Sequence, residues 1–462
     1  MPVSRSYTLE LTAVVVAAVA TLGAFAAAPR QACPARPVPD ASSHKQPVDT
    51  CIPDGFNEVA IDYFDDYSWR LFVAMVWPAA PDKRGVADTA KTLGDAGPRV
   101  FETYKSLWEV FHEDGTAPTA NFNDYDTAAH NVCKVNPQFG DIVLASSTAY
   151  GDVAQSGFGT LVGPLVAQNG RYVRYQTLYN QPAYDFIVAN KYYLRSQLPA
   201  VTDAAASVPA MQFPDGSLAI KAAWLDMTGF TEAQTHRYYT RTAILKDPDK
   251  GTCSRMTVGL VGLHVVQKTP SRPQWSWSTY EHVDNVPPAQ AEGPGTFTFH
   301  DGGAAEMPDE NPLFLVPLAP QPVKPFNVVR YARMPIHPNT AAMNTRYRRL
   351  LKDTAWGQYQ LVMTQWSRVP GNQANPVAVT VTGDASTSFP GVGAGSAFAN
   401  VTLETFDQDR VQMGCMGCHS GARMRTDFMW SVLDHAYPAT VAPAPSAVKP
   451  PANVAGQVRT QK

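Results

Sequence analysis

The sequence predicts an α+β protein: a large single domain with a central, mainly antiparallel sheet, flanking helices and long Pro-rich loops. Three observations predict it. Apolar residues recur at helical spacing between residues 57 and 111, strand-like runs crowd between 141 and 283, and 39 prolines punctuate 462 residues. The stretch 284–326, dense in Pro, Gly and Ala, reads as ordered loops over that scaffold. Hydrophobic residues make up 45% of the chain and charged residues 17%, so a core can form without help from disulfides. A formal net charge of -3 argues against a nucleic-acid partner.

Taken in order, Arg5 precedes an apolar run from Leu11 to Ala28 with small residues at Ala24, Ala26 and Ala28, the pattern of a cleaved export signal over 1–28. The alternative is an uncleaved membrane anchor through 11–28, since the run is just long enough to span a thin bilayer. Residues 29–55, rich in Pro, Ser and Asp, read as an extended lead-in. Cys33 lacks a leucine three positions before it, which speaks against lipid attachment. Cys33, Cys51, Cys133 and Cys253 form an even set suited to an oxidising compartment; Cys33 with Cys51 and Cys133 with Cys253 is the preferred pairing, and four free buried thiols the alternative.

A helix is expected from Asn57 to Trp77, where Ile61, Phe64, Leu71, Phe72 and Met75 share a face, acidic residues favour the first half and Pro78 stops it. A second follows Pro98, with Phe101, Tyr104, Leu107, Trp108 and Phe111 on one face. Asn169-Gly170 between Leu165–Gln168 and Arg171–Tyr179 signals a hairpin. Asn180 then caps a short helix with Pro182 in its first turn and Tyr184, Ile187 and Val188 inward. Leu218–Trp224, His236–Leu245, Met256–Thr269 and Gln274–Val283 read as strands, and Met256–Val266, apolar on both parities, as a central one. A helix from Thr340 to Lys352 buries Met343, Tyr347, Leu350 and Leu351 and exposes Arg346, Arg348, Arg349 and Lys352. Trp356–Trp366, Val377–Thr382 and Ala399–Thr405 read as closing strands, Gly391–Gly395 as a flexible connection and 438–462 as a disordered Ala/Pro-rich tail.

Chemistry concentrates in Cys415-Met416-Gly417-Cys418-His419. Two cysteines two residues apart, followed at once by histidine, form the attachment pattern of a c-type haem: both sulfurs bond the porphyrin edge and the imidazole binds iron. A chain of this composition would show the pattern by chance roughly 0.002 times. A zinc site needs four ligands, yet His435 is too distant for a finger spacing and no second cysteine pair is near. A redox dithiol needs a strand-then-helix setting that is absent, and a disulfide is the remaining alternative. Because the motif lies so late, its haem-attachment loop and the helix Thr426–His435 are expected at the C-terminal end of the domain, with the pocket built upstream. No Ser/His/Asp order, paired catalytic carboxylates or phosphate loop points to a haem-independent enzyme.

Several segments carry a resemblance: FVAMVWP at 72–78, LWEVF at 107–111, IKAAW at 220–224, the run from Val261 to Asn285, LET at 403–405, and the haem motif followed by Asp427-Phe428. Together they resemble a family of exported bacterial cytochrome c-like proteins over residues 56–437. The resemblance implies a protein with one covalently bound haem c, held by Cys415, Cys418 and His419; Met429 stands where the family has serine.

The sixth iron ligand separates electron transfer from ligand chemistry. Met413 and Met424 lie too close in sequence to the proximal turn to cross the ring plane. His264, which interrupts an apolar strand, and His282, on the polar side of a strand with Ser276, Ser278 and Tyr280, are the candidates, each weighed against a satisfied core histidine. The expected function is a periplasmic single-haem cytochrome carrying one electron at a time to or from a periplasmic or membrane redox partner. A haem-dependent peroxidase or oxidoreductase, or a haem-based sensor, is the alternative, because electron carriage alone needs far fewer residues.

Overall fold

One long strand organises the molecule in a computed structural model that describes residues 33–53, 61–125, 140–145, 155, 162–200, 209–247, 252–288, 297–303, 309–310, 321–331, 335–367, 399–408 and 414–438. The expected signal or anchor, Cys133, Val377–Thr382, Gly391–Gly395, Met413 and all but the first residue of the tail lie outside them. No helix among the described residues is long and apolar enough to cross a membrane.

The described strands are β1 (Lys105–Ser106), β2 (Ile142–Ala145), β3 (Val173–Tyr179), β4 (Leu218–Asp226), β5 (Thr240–Asp247), β6 (Thr252–Thr269), β7 (Arg272–His282) and β8 (Tyr359–Gln365). All belong to one curled sheet. β6 is its spine: β4 pairs along one edge, while β5 and then β7 share the other. Every pairing is antiparallel except β2 with β5. The alternation-free apolar run explains the central place, because Leu260, Val261, Leu263, Val265 and Val266 are buried on both faces. From Pro34 onward the chain forms one compact unit, and the mixed helices and sheet make it α+β.

On one face of the sheet, α1 (Ile61–Val76) packs beside α5 (Pro338–Leu350). Ser68 of α1 bonds Ser278 and Thr364, and the Tyr280 hydroxyl donates to the Ser68 carbonyl. Leu218, Ile220, Ala222, Leu263 and Val265 complete that core. On the opposite face, Tyr175, Ala223, Val261, Val401 and Leu403 form a second, smaller cluster.

The hairpin and cap read from sequence are present. Gly170 turns the chain at φ 71°, Val166 bridges Tyr172, and the Asn180 side chain accepts from the Ala183 amide to open α3 (Gln181–Ala189). Several expectations need correction. The helix expected over Thr426–His435 is broken: one helical turn ends at Thr426, Asp427 and Phe428 are left-handed, and a new helix runs Trp430–His435. The strand expected from Trp356 starts at Tyr359, after a 3-10 turn at Ala355–Gln358. The helix over Phe101–Phe111 is instead a 3-10 turn at Phe101–Thr103, β1, and one helical turn, α2 (Leu107–Val110). Ser106 and Glu109 form a capping box that starts a new turn there, and Glu109 also answers buried Arg84 and Lys105. Likewise Thr231 and Gln234 cap a turn at Glu232–Thr235 (α4), so His236 ends that turn and β5 starts at Thr240. Ala399–Thr405 is a turn, not a strand, with the Asn400 carbonyl accepting from the amides of Leu403 and Glu404. Leu350 is exposed at the end of α5, whereas Leu351 is buried.

Cys33, Cys51 and Cys253 are disulfide-bonded, which rules out the reading of four free thiols; Cys415 and Cys418 are free.

Candidate functional site

The motif occupies a short helix, Gly414–His419, laid against the end of β8. Gln365 seats it: its Oε1 accepts from the Met416 amide at 2.8 Å, and its carboxamide lies where a Cβ on Gly414 would fall, at φ 46°. Met416 is the apolar anchor, fully buried. Cys415 and Cys418, three positions apart, fall on one side of the turn and are half-buried.

His419 is oriented from behind. Its Nδ1 lies 2.7 Å from the Phe428 carbonyl oxygen. A carbonyl only accepts, so Nδ1 carries the hydrogen and Nε2 keeps the lone pair. Trp277 of β7 packs against the ring at 4.5 Å between centroids, inclined by 51°. Trp430 donates to the Cys418 carbonyl at 3.0 Å, bracing the turn from the far side. Burial draws the His419 imidazole down to about 4, and it pushes Cys418 up to about 12, with Glu404 and Asp407 adding to the latter; Cys415 is raised well above its ordinary value by burial first, then by Glu404 and Cys418.

Facing the motif is a polar seam across three strands. Lys221 of β4 pairs in register with His264 of β6, which pairs with Thr279 of β7. The turn 399–408 covers it, close enough at Gly262 that a Cβ there would lie 2.2 Å from Thr402 Oγ1. That turn brings in Glu404, whose Oε2 accepts from the Asn400 amide and whose Oε1 lies 3.2 Å from His264 Nε2. The distance is that of an ion pair but the alignment is not that of a hydrogen bond, so buried Nε2 has no hydrogen-bond partner among the described residues. Lys221 is drawn down to about 8, by burial first, against the pull of Glu404 and Cys418.

The structure therefore places His264 close enough to His419 to act on its charge. It does not bring His282 there. That residue shares Tyr280's side of β7, stacks on Tyr238 at 3.8 Å, donates from Nε2 to the Arg237 carbonyl and accepts at Nδ1 from the Asp284 amide. Both ring nitrogens are committed and burial holds the ring neutral, down to about 4. It is a core histidine. Lys221, Glu404, Gln365 and Trp277 were missed as site residues; a lysine inside the apolar strand IKAAW was the one local signal.

Among the described residues no group of three or more His, Cys, Asp and Glu is placed to hold a metal ion directly, so a zinc reading gains nothing. Thiols raised by burial are the opposite of a reactive dithiol. Two unpaired thiols one turn apart, an imidazole whose outer nitrogen is free by hydrogen bonding, and an orphaned imidazole nitrogen across from it fit the donor set a covalently attached haem requires. Set beside known proteins, the chain matches no family model, and no curated protein or solved structure matches it.

Proposed function

We propose that the chain is a periplasmic single-haem c-type cytochrome that carries one electron at a time, exported by a signal over 1–28 and binding haem c within 56–437. The observation that carries this reading is the hydrogen bond from His419 Nδ1 to the Phe428 carbonyl, one turn from two free thiols. It selects the tautomer that presents Nε2 to iron and fixes the plane of the ring. Cys415 and Cys418 would hold the porphyrin edge, and Met416, buried between them, keeps their turn against the sheet. When bound, haem supplies an iron centre that takes up and returns an electron. His264, with Nε2 unpartnered, is the candidate for the sixth position. The partner is a periplasmic or membrane redox protein.

The test is mass spectrometry and an optical spectrum of protein matured in a host competent for covalent haem attachment. One added porphyrin and a low-spin spectrum indifferent to peroxide, cyanide and carbon monoxide are expected. No added porphyrin overturns the reading.

A haem-dependent peroxidase or oxidoreductase is the second reading, favoured by one feature: Lys221, His264 and Glu404 gather charged and hydrogen-bonding groups beside the motif, as small-ligand chemistry would need. A high-spin spectrum responsive to those ligands selects it.

A further inference from the structure

The carbonyl that holds His419 sits on an improbable piece of backbone. Asp427 and Phe428 are consecutive non-glycine residues in the left-handed region, at φ 49° and 74°. Each such residue is strained and persists only where its surroundings over-determine it. Here the surroundings are specific. Asp427 Oδ2 accepts from Lys268 Nζ at 2.5 Å and from the Phe213 amide at 2.9 Å, while its carbonyl accepts from Trp275 Nε1 at 3.1 Å. Trp275 is itself left-handed, at φ 66°. Lys268 and Asp427 are both almost fully buried, so the pair is little screened by solvent. Lys268 ends the straight run of β6, and its amide and carbonyl are tied to Ser217 and Gly216, so the ammonium is delivered from rigid scaffold.

We infer that Lys268, acting through Asp427, is a positioning residue for the iron ligand: the buried ion pair, with Trp275, clamps the left-handed turn that aims the Phe428 carbonyl at His419 Nδ1. This rests on the haem reading above and deepens it. Lys268 hydrogen-bonds Asp427, not His419, so its effect passes through the geometry of the turn. Once the clamp is loosened, the backbone relaxes toward ordinary φ and the carbonyl withdraws. The imidazole then loses its outer hydrogen bond, becomes a weaker ligand and is more readily protonated off the iron.

The test uses the haem-loaded full-length protein and compares Lys268→Met, Lys268→Arg and Trp275→Phe with wild type. The readouts are the reduction potential and the acid transition of the haem band that reports loss of His419. Removing an outer partner of a metal ligand typically weakens the hold 10- to 100-fold, so Lys268→Met should raise the acid transition by about one to two pH units and raise the potential. Trp275→Phe, which removes the indole donor and some buried volume but leaves the ion pair in place, should shift both the same way by less, and Lys268→Arg should restore most of the wild-type behaviour. A wild type without porphyrin overturns the haem reading and this one with it. A loaded Lys268→Met protein with wild-type potential and acid transition overturns this one alone. Should Lys268→Met fail to fold, an unchanged Trp275→Phe protein does the same.

Discussion

Between α1, α5 and the sheet, rings and hydroxyls find each other: Trp69 stacks on Tyr347 at 5.0 Å, Phe72 leans on Tyr280, and Ser278, Ser68 and Thr364 form a hydroxyl chain to the Asp65 carboxyl, which also accepts from Thr340. On the opposite face the strands present Lys221, His264, Thr279 and Gln365 to the turn 399–408 and the short helix Gly414–His419, and His264 Nε2, Gln365 Nε2 and Asp427 Oδ1 are buried without hydrogen-bond partners among the described residues. Unmatched buried groups cost about 1–3 kcal/mol each. Under α1 the hydroxyls pair with one another, Ser276 Oγ on the same side of β7 being an exception, whereas three unmatched polar atoms gather around the cysteine motif, so scaffold and candidate site differ in how fully their polar groups are satisfied.

The sharpest way to test that difference is to disable the motif. Cys415→Ser/Cys418→Ser should abolish covalent porphyrin entirely, read by mass, while the near-ultraviolet dichroism of the tryptophan-rich α1 face persists. Loss of that signal would mean the two faces are one cooperative structure. The reciprocal change is Phe72→Ala, which empties a ring site lined by Trp69, Tyr280 and Trp356. It should cost about 3–5 kcal/mol in denaturant unfolding, with no spectral change in the haem of the surviving fold.

Histidine offers a finer contrast. His264→Ala should alter the haem spectrum with little loss of stability. His282→Ala should leave the spectrum alone and destabilise by about 1–3 kcal/mol, because the Asp284 amide and Arg237 carbonyl lose their partner. The reverse pattern would exchange their roles.

The smallest expected effect lies in pH. Burial raises Asp65 from its ordinary 3.8 to about 7, so the native state holds a proton that the unfolded chain has released. Stability from this group is complete below 3.8 and is lost as pH rises through about 7. Asp65→Asn should therefore gain on wild type between pH 4 and 7 and keep that gain above it, by about 1–3 kcal/mol in melting experiments. His282 acts in the opposite direction: held neutral down to about 4 against an ordinary 6.5, it withdraws stability as pH falls between those values. A flat profile for Asp65→Asn would mean the hydroxyl chain stabilises the ionised form.

What could be read from residues alone was whatever is decided within a few positions. The Asn169-Gly170 turn, the Asn180 cap and the two-faced apolar run of β6 are local facts, and each stands where expected. Phe101–Phe111 failed because the capping box of Ser106 and Glu109 outweighs a tidy aromatic stripe, and because Glu109 has a distant obligation to Arg84. Ala399–Thr405 alternates like a strand, but Asn400 folds it into a turn that hydrogen-bonds the Tyr280 carbonyl and the Thr279 hydroxyl. For the site, Cys415, Cys418 and His419 are legible by spacing. The clamp is not: Lys268 and Asp427 are separated by 159 positions, and no periodicity connects them. His282 misled because a polar strand side implies a partner without saying whether that partner is a cofactor or the protein's own backbone.

Between Gly414 and Pro438 the chain contributes no strand to the sheet. It is fastened by side chains, from Gln365, Tyr179, Arg195 and Lys268, by a backbone bond from Ala210 to Met424 and, at its end, backbone bonds between Tyr437 and both Tyr193 and Arg195, and by Met416, Phe428, Met429, Val432 and Ala436 buried in the main core. Such an arm can lift away while every rung of the ladder beneath stays closed. Its amides should exchange with deuterium well ahead of those in β6, and whatever machinery attaches a cofactor to it would have to prise loose only a peg, leaving the wall it hangs on standing.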